Sequence, residues 1–304
     1  MFGLPDEFEY FECSACGCLQ ILEFPADMTK YYPGSYYSFS DGQPDALGGF
    51  RTALSTVRNR YYLTHRGPIG AVLHRWSPNE TMRLIGKTNI SRDARVLDVG
   101  CGSGEILRRL KLAGYGRVLG IDPFLPRDVC TPEGVELRKG SIYDQTESWD
   151  LIMYHHAFEH VRDPLEQLKC VAKLLDPGGT CLLRIPTVSS FAWQHYGAHW
   201  VQLDPPRHFF LHSDRSISIA CAYAGLTCVR TEHDSDEFQF WGSEQVARGI
   251  PIESEKSYWR NRSGSMFSRR EIKGFRERAD ALNRQHRGDQ AAYFLRFAPG
   301  NNAE

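Results

Sequence analysis

Apolar and polar positions divide the middle of the chain into repeating strand and helix units. Val96–Val99 is a short apolar run, closed by glycines at 100, 102 and 104. Glu105–Gly114 follows, with Ile106, Leu107, Leu110 and Ala113 at helical spacing. Further apolar runs at Arg117–Asp122, Val135–Ile142, Trp149–His155, Thr180–Pro186 and Leu226–Glu232 have the length of buried strands. Asp163 and Pro164 fit an N-cap and a first helical position. Leu165, Leu168, Val171, Ala172 and Leu175 then share a face until Asp176-Pro-Gly-Gly179 stops the helix. Ser213–Gly225 reads as a capped helix ending in glycine. Strands alternating with helices predict an α/β domain around a mostly parallel sheet.

The richest chemistry lies in Arg95-Val-Leu-Asp-Val-Gly-Cys-Gly-Ser-Gly-Glu105. Glycines let a backbone pass close to a ligand and take positive φ. The helix start behind them offers unpaired N–H groups to an anionic moiety. A dinucleotide fingerprint spaces its glycines G-x-G-x-x-G, whereas here the third dinucleotide glycine is replaced by Glu105. Asp98, two residues before the first glycine, repels a pyrophosphate and attracts a cation. A structural glycine turn in another α/β protein is the bland alternative.

The acid, the glycine spacing and the flanking elements together resemble motif I of the class I S-adenosylmethionine (SAM)-dependent methyltransferases. The resemblance implies a Rossmann-like, doubly wound, mostly parallel seven-stranded sheet with helices on both faces. Glu237–Gly242 would be its antiparallel edge strand. It implies SAM as cofactor, held by Asp98, Gly100, Cys101, Gly102, Gly104, Asp122 and Pro123. Asp122 ends the second strand, where an acid accepts hydrogen bonds from ribose hydroxyls; its bland alternative is a loop acid before a proline. Where the family often carries an adenine-reading Asp, this chain has Ser141, so Ser141 and the Ile142 N–H are the candidates there. Tyr154 and His155 stand at the mouth of the central strand as contacts for the methionine end.

The stretch 187–213 holds aromatics, four histidines and an acid between two predicted elements, and a loop of that length is usually functional. Trp200 and Asp204-Pro-Pro-Arg207-His208, before a serine-capped helix, resemble one branch of the superfamily. That branch has an N-terminal Cys knuckle and works on sugar, polysaccharide and antibiotic pathways. His208 is the candidate general base, Arg207 or Asp204 its orienting partner, and Glu159, from the Glu159-His160 pair, a further candidate. Packing and local capping compete with each role. His195, His199 and His212 rank below His208.

Cys13-Ser-Ala-Cys16-Gly-Cys18 is half of a tetrahedral zinc knuckle, and unliganded thiols are preferred. Tyr31–Phe39 reads as an aromatic lid or as core packing. The expected division is a partial knuckle and Tyr-rich segment at 1–45, lid or flanking helices at 46–90, the methyltransferase core at 91–245 and a basic helical extension at 246–304. A net charge of −1 and a basic stretch interleaved with acids argue against nucleic acid. No apolar run reaches the ~20 residues of a membrane span, no signal pattern opens the chain, and nine cysteines suit a reducing, cytoplasmic setting. The reading is a methyltransferase acting on a hydroxyl of a small polar or glycan-type acceptor, with no metal required. A non-turnover SAM-binding scaffold and a nicotinamide oxidoreductase are the alternatives.

Overall fold

The structure, a computed structural model, describes residues 6–32 and 49–298. A hairpin of β1 (Tyr10–Glu12) and β2 (Leu19–Ile21) opens the described chain. Three helices follow: α1 (Gly49–Thr64), α2 (Pro68–Trp76) and α3 (Glu80–Gly86). Then come β3 (Arg95–Val99), α4 (Glu105–Ala113), β4 (Arg117–Asp122), β5 (Val129–Cys130), β6 (Glu136–Lys139) and β7 (Trp149–His155). Next are α5 (Pro164–Leu174), β8 (Leu175–Pro186), α6 (Phe191–Tyr196), β9 (Phe210–Leu211), α7 (Asp214–Tyr223) and β10 (Leu226–His233). α8 (Phe238–Ala247), α9 (Arg269–Arg284) and β11 (Gln290–Phe297) complete it.

One sheet runs β10-β11-β8-β7-β3-β4-β6-β5. The pairs among β8, β7, β3, β4 and β6 are parallel, while β11 is antiparallel to both neighbours and β5 to β6. The two-residue side-chain period of the strands sorts the core into two layers. Leu97 and Val99 of β3 pack with Leu168 and Val171 of α5 and Ile217 and Ala220 of α7. Val96, one residue out of phase, packs with Leu107 and Leu110 of α4, Leu63 of α1 and Met82 of α3. Helices α1 and α3 therefore cover one face of the sheet. The predicted caps are formed: Asp163 accepts the Glu166 N–H at 3.1 Å and Ser213 the Ser216 N–H at 2.9 Å, each worth about 1 kcal/mol.

The structure corrects the carboxyl-terminal part of the expected layout. Glu237–Gly242 is not a strand; it enters α8, where Gln239, Phe240, Trp241 and Ser243 are all buried. A segment buried all round has no polar face, so its apolar spacing does not distinguish helix from strand. The antiparallel strand is β11, whose Ala291–Leu295 run is buried on both faces between β8 and β10. Residues beyond 245 thus belong partly to the sheet, and with the short edge β5 it has eight strands rather than seven. The basic stretch does contain a helix, α9, with a capping box at Ser268 and Glu271 and a buried face of Ile272, Ala279 and Leu282. Arg278 stacks over Phe191 and Phe240 at 4.3 and 4.9 Å, and Arg276 pairs with Glu237, so these cations serve the fold.

Candidate functional site

The turn after β3 is shaped by glycines that tolerate no side chain. Gly100 has φ +75°, and a Cβ there would lie 2.5 Å from Ala157 Cβ. Gly104 has φ +73° and would meet Leu137 at 2.6 Å. At the carboxyl ends of β3, β4 and β7 a cavity of about 150 Å³ opens. Gly100, Asp122, Pro123, Ser141, Ile142 and Tyr154 line it, six of the residues expected to hold the cofactor. Asp122 Oδ2 accepts the Gly102 N–H at 3.0 Å and Oδ1 the Phe124 N–H at 2.9 Å, which fixes its carboxylate at the strand end. Ser141 spends its N–H and hydroxyl proton on Asp144, leaving the hydroxyl oxygen as an acceptor. Tyr154 donates its hydroxyl to Gln167 at 2.8 Å.

Four expected residues shape this cavity without lining it. Cys101 packs beneath the turn against Gly120, and Gly102 and Gly104 carry its bend. Asp98 is buried, and its Oδ1 has no hydrogen-bond partner. Burial, and then the nearby Asp122, push its carboxyl up to about 8. That orphaned acid and the glycine cradle fit a cofactor bearing an ammonium and a sulfonium. His155 is half-buried and lines neither cavity, and both its ring nitrogens are shielded from solvent and unpartnered. Its neighbour His156, at φ +52°, occupies the mouth instead.

A second cavity, about 430 Å³, shares His156 and His160 with the first. His208, Asp204, Trp241, Tyr258, Trp259 and Arg262 line it, together with Arg184, Asp236 and Asp289. The loop carrying His208 is tied down on both sides. Phe209 N–H donates to Glu159 O at 2.8 Å, and Tyr10 Oη donates to His208 O at 2.9 Å. Arg207 forms a buried ion pair with Asp204, and its carbonyl receives His160 Nδ1 at 2.7 Å. Of the catalytic candidates His208 and Asp204 line the cavity; Arg207 and Glu159 sit behind it.

His208 Nδ1 lies 2.7 Å from the Gln202 carbonyl, which only accepts, so Nε2 carries the lone pair. That nitrogen is 3.9 Å from both Glu159 Oε1 and Asp204 Oδ2. Burial, and then His160, lower the His208 imidazole to about 4, so it is neutral at pH 7. Arg184 Nη1 donates to His156 Nε2 at 3.4 Å, which leaves His156 Nδ1–H facing Glu159 Oε1 at 3.4 Å. Burial raises the Glu159 carboxyl and the His156 ring N–H facing it pulls it down, with the net shift downward. Glu159 is therefore ionised although fully buried.

Sequence reasoning missed His156, Arg184, Trp241, Tyr258, Trp259 and Asp289. Asp289 had a signal, since it directly precedes the apolar run of β11. It accepts Trp200 Nε1–H at 2.9 Å, and burial raises it to about 6. At the amino end, the Cys13–Cys18 turn closes through Gly17 N–H to Cys13 O at 2.7 Å, and β2 pairs with β9. All nine cysteines are free thiols. Of the expected aromatic lid, Tyr32 lines the cofactor cavity and stacks on Phe124, while residues 33–39 lie outside the described residues. Among the described residues no helix is long and apolar enough to cross a membrane.

Residues 72–231 match the family model described as a methyltransferase domain. A ubiquinone biosynthesis O-methyltransferase of Xanthomonas campestris pv. campestris (strain B100) is 35% identical over 171 residues, covering 48% of this chain and 71% of the relative. A tRNA U34 carboxymethyltransferase of Geobacter sp. (strain M21) is 28% identical over 182 residues, covering 52% of this chain and 53% of the relative. The chain thus spans about half the length of that tRNA enzyme. Among solved structures, the cyclopropane synthase MmaA2 from Mycobacterium tuberculosis has a TM-score of 0.46 at 18% identity, covering 83% of this chain and 99% of that one.

Proposed function

The chain belongs to the class I SAM-dependent methyltransferases, and from that premise we propose that it methylates a hydroxyl oxygen of a small, polyhydroxylated, glycan-type acceptor. The observation that carries this reading is the common wall of the two cavities: His156 and His160 face both, with His208 in the larger one. SAM would be held in the smaller cleft, with the charge of Asp98 behind the glycine turn answering its cationic groups and Asp122 its ribose hydroxyls. The bound cofactor supplies a methyl group on a sulfonium leaving group. Everything else falls to the protein: aligning the acceptor oxygen, excluding water and taking the hydroxyl proton. Alignment of this kind lowers a barrier by ~7–11 kcal/mol.

Trp241, Tyr258 and Trp259 offer faces for the C–H side of a sugar ring, and Asp236, Asp289 and Gln239 offer acceptors for its hydroxyls. Neutral His208 takes the proton at Nε2, and the carboxylates of Glu159 and Asp204 stabilise the imidazolium that results. Arg207 acts by fixing Asp204 and, through its carbonyl, His160. Five carboxylates on the cavity wall (Asp204, Asp236, Glu237, Glu253, Asp289) oppose two arginines, which disfavours a polyanion. That balance supports a small acceptor over a tRNA, despite the names of some relatives.

The test is incubation of the purified protein with methyl-labelled SAM against sugar nucleotides, free glycans and an RNA pool, with mass spectrometry of products. A methyl ether on a sugar is the expected product. Label recovered in RNA, or on carbon or nitrogen, refutes the acceptor class. His208→Gln is expected to slow transfer by roughly 10²–10⁴-fold with SAM affinity unchanged. Full turnover in that variant removes His208 as the base.

A further inference from the structure

Glu159, His160 and His208 each present one ligating atom within 4.8 Å of the other two, the one such group of three among the described residues. We infer that these side chains form a binding site for a single divalent ion of the zinc and cobalt class. Both histidines are held as metal ligands usually are, with Nδ1 2.7 Å from a backbone carbonyl, Arg207 O for His160 and Gln202 O for His208. That contact fixes the tautomer, and it leaves Nε2 of His208 facing Glu159 Oε1. Glu159 is wholly buried, and neither of its oxygens makes a hydrogen bond of good geometry, the His156 Nδ1–H standing 3.4 Å from Oε1. A buried carboxylate with so little compensation is costly unless a positive charge neutralises it.

Two imidazoles and a carboxylate suit zinc or cobalt better than calcium or magnesium, which favour oxygen ligands. Tetrahedral zinc at its usual bond lengths separates adjacent ligand atoms by about 3.4 Å. His208 Nε2 and Glu159 Oε1, at 3.9 Å, need to close by about half an ångström, within the reach of side-chain rotation. His160 and His208 line the larger cavity, so the fourth position of the ion opens toward the acceptor. The ion takes the lone pair that the proposed reaction needs for the proton, so the loaded protein is idle in methyl transfer. This last consequence rests on His208 being the base; the binding site itself does not.

The test uses the whole protein, stripped with a chelator and titrated with Co²⁺ under calorimetry and visible spectroscopy. The expected result is one ion per chain, with ligand-field bands and no thiolate charge-transfer band. The second feature separates this site from Cys13, Cys16 and Cys18. Glu159→Gln and His208→Asn should each weaken Co²⁺ binding at least tenfold while SAM affinity, read in parallel, reports an intact fold. If Glu159→Gln unfolds by circular dichroism, His160→Ala, with its fold read the same way rather than by SAM affinity, takes its place in the comparison. Co²⁺ affinity unchanged in the folded variants, no binding at all, or a spectrum dominated by thiolate bands overturns the site. In the activity arm, Zn²⁺ loading should abolish transfer and a chelator restore it. Full turnover in the loaded protein would overturn His208 as the base and leave the ion site standing.

Discussion

If Asp98 meets the cationic end of SAM as proposed, cofactor binding should be a proton-releasing event. Its carboxyl sits at about 8 because burial, and then the neighbouring Asp122, penalise its charge. At pH 7 roughly one molecule in ten carries the ionised form, and ionising the rest costs about 1.4 kcal/mol. A cationic ligand selects the ionised form. SAM binding at pH 7 should therefore release close to one proton (about 0.9 per site). Calorimetry in buffers of different ionisation enthalpy reads this number as the slope of observed against buffer enthalpy. The sign for affinity follows: binding strengthens about tenfold per pH unit from pH 6 toward 8 and levels off above it. In the unliganded protein the same raised pKa stabilises the fold fully below about pH 4, and that contribution declines as pH rises through about 8. Asp98→Asn should abolish the proton release, flatten the pH dependence of binding and remove the loss of stability between about pH 4 and 8. A slope near zero in the parent protein, or one that persists in the Asn variant, refutes the assignment.

Asp122→Ala removes the acceptor of the Gly102 and Phe124 N–H groups and should weaken SAM binding by about 1.5–3 kcal/mol, read by the same calorimetry. Trp259→Ala should raise the acceptor KM while leaving SAM affinity and kcat nearly unchanged, because this half-exposed ring lies on the outer wall of the second cavity; an equal loss in kcat would place it at the reacting centre instead. Leu295→Ala, on β11 between β8 and the edge strand β10, should cost about 2–5 kcal/mol in denaturant unfolding, whereas an appended tail would tolerate it.

The half of the site proposed to hold the cofactor was legible because it is local. Asp98, the glycines and Asp122 lie within a single strand–turn–helix–strand unit, and each signals itself by spacing alone. The flanking helices were legible by their caps, such as Asp163 with Pro164 and Ser213 with Ser216. The acceptor side was not, because its pieces are remote in the chain. His156 and Glu159 follow β7, Asp204 and His208 sit in the loop after α6, Trp241 lies in α8, and Asp289 precedes β11. Hydrophobic periodicity reports how deeply a residue is buried, not which distant segment buries it. For the same reason the apolar run of β11 carried a strand's burial but no sign of its place between β8 and β10, and the start of α8, whose polar Gln239 and Ser243 are buried with its aromatics, passed for a strand. The amino-acid order by itself determined the parallel sheet and the cradle for a cationic cofactor. Tertiary packing decided where the acceptor sits and which histidine meets which carboxylate, because those distances exist only once loops far apart in the chain are pressed together at the carboxyl edge of the sheet.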